Sequence, residues 1–197
     1  MYYTSQKFVG YKDEDCPPYM KFIGALTGRP DNTPFDWERL KNIKTPKIYI
    51  SLGTVLVDIR KEFFNRMIQA LGHKDVTVIA STDPGIIENW PDNFIVQSYV
   101  PQSELLKHVD VVIGHGGLNT VCDTYMNGIP MLIIPMAFDQ SHTAMLIEQY
   151  GCGIRIRYKR MRIQDVEHAI DELLYNPSYK QAAKEIQQSF IEAGGNR

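Results

Sequence analysis

Two nearly uninterrupted apolar runs, Val109-Asp-Val-Val-Ile and Met131-Leu-Ile-Ile, constrain this chain more than any other feature. A strand that is apolar on both faces must be covered on both, and the usual cover is a layer of helices on each side of a parallel sheet. The rest of the chain from Lys47 onward fits that demand. With these two runs, the strand candidates are Lys47–Ser51, Val76–Ser81, Phe94–Ser98, Val109–Ile113, Pro130–Ile134 and Ile154–Ile156. Between them run amphipathic stripes, Ile59, Phe63 and Met67 with Phe64, Ile68 and Leu71, then Ile163, Val166, Ile170, Leu173 and Leu174. Steps of three and four residues predict helices whose stripes pack on the core. A last helix is expected from Ser178 to about Ile191, stopped by Gly194-Gly195.

Residues 1–46 differ. Pro17, Pro18, Pro30, Pro34 and Pro46 interrupt them and no period of 2 or 3.6 is sustained. They read as a linker or lead segment with one short strand at Tyr19–Ile23. The fold class expected is therefore α/β: a Rossmann-like parallel sheet with helices on both faces over residues 47–197, preceded by the 1–46 segment.

Charge narrows the partners. With 21 Lys+Arg against 23 Asp+Glu and a net charge of -2, the chain has no overall basic field for a nucleic-acid backbone or an anionic membrane. No run approaches the ~18 apolar residues of a membrane span. Cys16, Cys122 and Cys152 are odd in number and widely spaced, with no CxxC, which suggests neither disulfides nor zinc and fits a reducing compartment, the cytoplasm.

In an open parallel sheet ligands bind beyond the carboxyl ends of the strands, so the loops there are the places to look. After the first strand come Ser51-Leu-Gly53-Thr54, a tight turn with two hydroxyls. After the fourth comes Gly114-His115-Gly-Gly117-Leu118-Asn119-Thr120, opening a helix that contains Asp123 and Tyr125. Adjacent glycines expose backbone N–H groups at the positive end of that helix, and His115, Asn119 and Thr120 add donors, which suits a diphosphate. A Gly-rich turn with a structural His is the plainer alternative. Tyr99-Val100-Pro-Gln102 offers an aromatic face for a base and an amide for its edge, against a core Tyr and a capping Gln. Asp139-Gln140 suits vicinal sugar hydroxyls, although an Asp at a helix start also serves as an N-cap.

Taken together, Tyr99-Val-Pro-Gln102, Leu105, His108, His115-Gly-Gly-Leu-Asn-Thr120, Asp123, Gly128-Ile-Pro-Met131, Pro135 and Asp139-Gln140 resemble the donor-binding signature of family 1 glycosyltransferases, the bacterial macrolide type above all. The resemblance runs from about Phe22 to the end. It implies the C-terminal half of a GT-B enzyme, two Rossmann-like domains facing a cleft, with Phe22-Ile-Gly24 as the exit from a first domain. It places Tyr99 against uracil, with Val100 and Gln102 beside it at the base edge. His115, Asn119, Thr120, Ser51 and Thr54 fall where the diphosphate is held, with Gly53, Gly117 and Leu118 as further donor-binding positions, and Asp139 and Gln140 fall at the donor sugar. Asp123 stands where the family has a ribose-binding Glu, one methylene longer. Leu118 replaces the Trp of plant relatives, and Thr143 an Asn that often follows the Asp-Gln pair.

The resemblance further implies an inverting transfer of a hexose, glucose by the Gln140 criterion, from a UDP-sugar to a small-molecule hydroxyl without a metal or other cofactor. The base would be a His of the first domain, and residues 1–46 contain no His. No catalytic residue is then expected in this chain beyond His115, which would stabilise the departing UDP with the helix end. The chain alone is expected to bind donor without transfer, its partners being a nucleotide-sugar, the N-terminal acceptor-binding domain it lacks and, through the bared domain interface, a second copy. A subunit of a split transferase and a non-catalytic nucleotide-sugar module are the alternatives.

Overall fold

The computed structural model describes residues 4–24, 31–53, 59–136 and 138–194. Two short helices open it, α1 (Gln6–Val9) and α2 (Trp37–Asn42). Strands and helices then alternate: β1 (Lys47–Ser51), α3 (Arg60–Leu71), β2 (Thr77–Ser81), β3 (Phe94–Gln97), α4 (Gln102–Leu105) and β4 (Val111–Gly114). The rest are α5 (Leu118–Met126), β5 (Met131–Ile133), α6 (Phe138–Gln149), β6 (Gly153–Arg155), α7 (Ile163–Tyr175) and α8 (Pro177–Glu192). The six strands form one sheet in the order β3-β2-β1-β4-β5-β6, every pairing parallel. All six strands expected from the sequence are present, with ends within two residues of expectation.

Strand alternation divides the core between the two faces. Ile48, Ile50, Val78, Ala80, Val111 and Ile113 pack with Phe63, Phe64 and Met67 of α3 and Val166, Ile170 and Leu173 of α7. Tyr49, Ile79 and Val112 join Val121 and Tyr125 of α5, Ile147 of α6 and Ile186 and Phe190 of α8. Both apolar runs lie inside the sheet and, apart from the exposed Asp110, are buried, as covering on both faces requires.

The strand expected at Tyr19–Ile23 does not form. The Met20 N–H closes a turn onto the Pro17 carbonyl at 2.8 Å, Tyr19 is 84% exposed, and Phe22 makes only an isolated bridge. Pro18 has no N–H to donate, so a turn wins over a ladder here. Elsewhere the lead segment is well packed. Phe8 of α1 is buried, its ring centroid 5.7 Å from Tyr125 and 5.6 Å from Phe190. A four-residue helix cannot sustain itself, and two tertiary ties hold this one. Burial of Phe8 contributes about 1.5–3 kcal/mol. Ser5 caps the Phe8 N–H and bonds the Ser189 hydroxyl at 2.8 Å.

Gly153 opens β6 because nothing larger fits. A Cβ there would lie 2.3 Å from the Met131 carbonyl oxygen and 2.6 Å from Ile147 Cγ2. At Gly114 the nearest atom to an added Cβ is the free end of Met131, Cε at 2.5 Å, which can swing away. We therefore expect Gly153→Ala to lower the unfolding free energy by about 1–3 kcal/mol and Gly114→Ala to cost less, measured by urea denaturation of both variants.

Candidate functional site

Strand order reverses between β1 and β4, which run side by side with Ser51 opposite Gly114. The loops leaving these two strands diverge to opposite sides of the sheet, and the crevice between them is where such sheets bind ligands. The two Gly-containing loops singled out in the sequence flank that crevice. Gly53 sits at φ +62 after β1, and its carbonyl accepts a hydrogen bond from the Arg60 guanidinium. His115 follows β4 and is only 8% exposed.

Glycine on both sides makes room for the imidazole. A Cβ on Gly53 would stand 3.1 Å from His115 Cε1, and one on Gly117 would stand 2.7 Å from Nε2. Gly116, at φ +101, closes against α6 and β5: a Cβ there would meet Gln140 Cβ at 3.3 Å and Ile133 Cδ1 at 3.0 Å. The ring is thus fixed by close packing from two loops. Directly beyond it α5 begins, with Gly117 as an N-cap that has no side chain to cap the first-turn amides. Leu118 and Asn119 are exposed and Thr120 half-buried at that helix end. Uncapped first-turn N–H groups and the helix field favour an anion there.

Gln140 lies in the first turn of α6, buried, and its Oε1 accepts the Met136 N–H at 2.9 Å, tying down the 135–136 turn. Asp139 precedes it in the same turn. The Asp139 side chain and Thr54 lie outside the described residues. The hydroxyl-bearing Ser51 is buried at the end of β1.

The Tyr99–Gln102 segment forms the other wall. Tyr99 is 60% exposed, whereas the Val100 side chain is buried in the core, so Val100 can meet a ligand only through its backbone. Gln102, opening α4, is engaged at both ends of its amide. Its Oε1 accepts from the Tyr49 hydroxyl at 3.2 Å and its Nε2 donates to Asp123 Oδ2 at 2.7 Å. Burial pushes the Tyr49 phenol up to about 12, so it remains a donor. Burial also raises the Asp123 pKa, and the bond from Gln102 partly offsets this. Gln102 therefore groups with the Asp123 carboxylate, a link that its local motif does not contain.

Sequence reasoning missed two neighbours. Tyr49 reads as an ordinary core residue of an apolar strand, and nothing local announces its partner 53 residues away. Asp31 bonds the Tyr99 phenol, whose pKa it raises, while accepting from the Thr33 N–H at 2.9 Å and hydroxyl at 2.7 Å. With Gln97 Nε2 donating to the Pro34 carbonyl at 2.8 Å, residues 31–34 are fastened along the Tyr99 side of the crevice. Asp13-Glu14-Asp15 has Asp-x-Asp spacing but forms a 3-10 turn in the lead segment. Among the described residues no group of three or more His, Cys, Asp or Glu could hold a metal.

Fold and crevice define a Rossmann-like half of a GT-B architecture. The chain superposes on the glycosyltransferase of kitacinnamycin with a TM-score of 0.84 at 24% identity, covering 98% of this chain and 50% of that one. Against CalG4, the calicheamicin glycosyltransferase, the TM-score is 0.83 at 19% identity, with 98% and 49% covered. At these identities the likeness establishes the fold. Family membership comes from sequence. Residues 10–190 match the family model "UDP-glucoronosyl and UDP-glucosyl transferase", and the chain belongs to that family. Relatives include two proteins of Bacillus subtilis (strain 168), the uncharacterized UDP-glucosyltransferases YdhE and YojK. YdhE is 37% identical, covering 96% of this chain and 48% of its own length. YojK is 32% identical, covering 99% and 48%. The chain thus spans about half the length of these relatives.

Two outcomes follow from the geometry. Gly117 has φ -60, a conformation any residue adopts, so the cost of Gly117→Ala comes from the clash alone, about 1–3 kcal/mol, and the displaced imidazole is seen as shifted His115 ring resonances by NMR. Unshifted resonances would contradict the packing described. Asp123 ionises at higher pH in the folded chain than in the unfolded one, where a carboxyl titrates near ~3.9. Between those values the folded state holds more protons, so stability falls as pH rises through that window. Asp123→Asn should remove that part of the slope in denaturation curves taken across mildly acidic pH.

Proposed function

We propose that this chain is the UDP-sugar-binding half of an inverting glycosyltransferase that moves a hexose, glucose foremost, onto a small-molecule hydroxyl. The observation that carries this is the His115 imidazole, held between Gly53 and Gly117 at the β1–β4 crossover point and beside the uncapped start of α5. A diphosphate placed there meets backbone N–H groups, an imidazole and the hydroxyls of Ser51 and Thr120. Each charge-assisted bond of this kind is worth roughly twice a neutral one.

Around that anchor the remaining groups fall into order. Tyr99 offers the exposed ring for uracil. Asp123, oriented by Gln102, accepts from ribose hydroxyls, and Asp139 and Gln140 meet the donor sugar. As the acceptor oxygen attacks the anomeric carbon, negative charge grows on the UDP oxygen that leaves. His115 and the α5 end are already arranged to stabilise it, so little reorganisation is needed during reaction. The proton of the acceptor hydroxyl goes to a base outside this chain, which makes residues 47–197 a donor domain and residues 1–46 its connection to an acceptor domain. YdhE and YojK, named as UDP-glucosyltransferases, support the donor class.

Thermal unfolding with added nucleotide tests this. UDP at about 100 times its dissociation constant should add roughly 2.7 kcal/mol, which raises Tm by roughly 5–10 °C for a domain of this size. His115→Ala should abolish most of the rise, measured from that variant's own unliganded Tm. No shift with UDP or UDP-glucose at millimolar concentration would contradict the assignment.

A further inference from the structure

The loop that follows β6 is unlike the rest of the chain. Between Glu148 and Asp165 there is no acidic residue, yet Arg155, Arg157, Lys159, Arg160 and Arg162 fall within eight positions, in a protein whose net charge is -2. Two of these cations are neutralised, Arg155 by Glu148 at 2.8 Å and Arg162 by Asp165 at 2.6 Å. Among the described residues Arg157, Lys159 and Arg160 make no ion pair.

Those three line a cavity of about 570 Å³ together with Tyr158 and, from the opposite side, Met136 and Ser141. That volume lies within the ~300–1,000 Å³ range of small-molecule sites. The loop is also held in place. Arg66 of α3 lies over the Tyr158 ring, 5.3 Å from its centroid, and donates to the carbonyls of Tyr158 and Met161 at 3.3 Å. Less ordering is left to be done when a ligand arrives.

Position relates this cavity to the donor crevice. β5 and β6 are parallel neighbours, with Ile133 opposite Arg155, so their loops emerge at the same edge of the sheet as the His115 loop. Two strand spacings, about 10 Å, separate β4 from β6, which is of the order of a hexose attached to the diphosphate. Met136 and Ser141 flank the Asp139-Gln140 pair.

We propose that this cavity is an anion subsite at the sugar end of the crevice, taking a carboxylate or phosphate monoester on the acceptor, with Met136 and Tyr158 receiving its apolar body. The placement at the sugar end rests on the donor assignment above. The same chemistry also suits a uronic acid as the donor sugar, and the test separates these two sources.

The test uses the chain and the triple variant Arg157→Ala, Lys159→Ala, Arg160→Ala, with Arg157→Glu as a single charge reversal. All three proteins are titrated by calorimetry, with and without saturating UDP, using phenyl phosphate, benzoate and uncharged benzyl alcohol, and separately using UDP-glucuronate and UDP-glucose. The expected result is at least tenfold tighter binding of the aromatic anions than of benzyl alcohol, lost in the triple variant and weakened in Arg157→Glu, with UDP affinity unchanged within twofold. If the charge belongs to the donor instead, UDP-glucuronate will outbind UDP-glucose and the variant will erase the difference. No preference for the anion in either arm, or a preference that survives the triple variant, overturns the subsite. Should UDP fail to bind at all, the phenyl phosphate arm without UDP still reads the cavity by itself.

Discussion

The pairing of β1 with β4 is the constraint on which the rest depends. The two strands are adjacent in space and 60 residues apart in sequence, Ser51 lying opposite Gly114. Their neighbours extend outward on either side, β2 and β3 one way, β5 and β6 the other. That reversal leaves a crevice between the loops. Because the strands are parallel, both loops open at the same edge, and the helix after β4 presents its N–H end there. A site at this position is therefore a consequence of topology, which hydrophobic burial on both sheet faces enforces. What the particular sequence adds is small residues, Gly53, Gly116 and Gly117, that let backbone and imidazole approach closely.

The crevice walls are held by contacts that cross the chain. Tyr49 from the middle of β1, Gln102 from α4 and Asp123 from α5 form one hydrogen-bonded chain of side chains. Burial keeps the phenol protonated, so Tyr49 stays a donor; it also raises the Asp123 pKa, and the bond from Gln102 opposes that rise. In a site of reduced polarity such bonds are stronger and an unmatched group is costlier, which fixes their geometry. Asp31 and Pro34 add a second set of ties, from the lead segment to Tyr99 and Gln97.

Much of this was legible before any coordinates. The apolar runs demanded strands inside the sheet and the three-and-four stripes demanded α3 and α7, because each signal is local and periodic. The failures were non-local or marginal. Tyr19–Ile23 has strand-like residues, yet Pro17 and Pro18 close a turn ahead of it and Tyr19 finds no core to enter. α1 and α2 are too short to announce themselves, since their stability comes from tertiary burial of Phe8 and Leu40. The partners of the Gln102 amide, Tyr49 and Asp123, lie 53 and 21 residues away, so its local motif does not announce them. The burial of the Val100 side chain in the same motif is likewise set by tertiary packing.

The central claim is that nucleotide diphosphate sits where β1 and β4 part. A crystal structure of the chain grown with UDP tests it most directly. The account predicts the two phosphates within hydrogen-bonding distance of His115 and the first-turn amides of α5, the ribose against Asp123 and the uracil over Tyr99. UDP bound at another edge of the sheet, or phosphates out of reach of both His115 and the α5 amides, would contradict it.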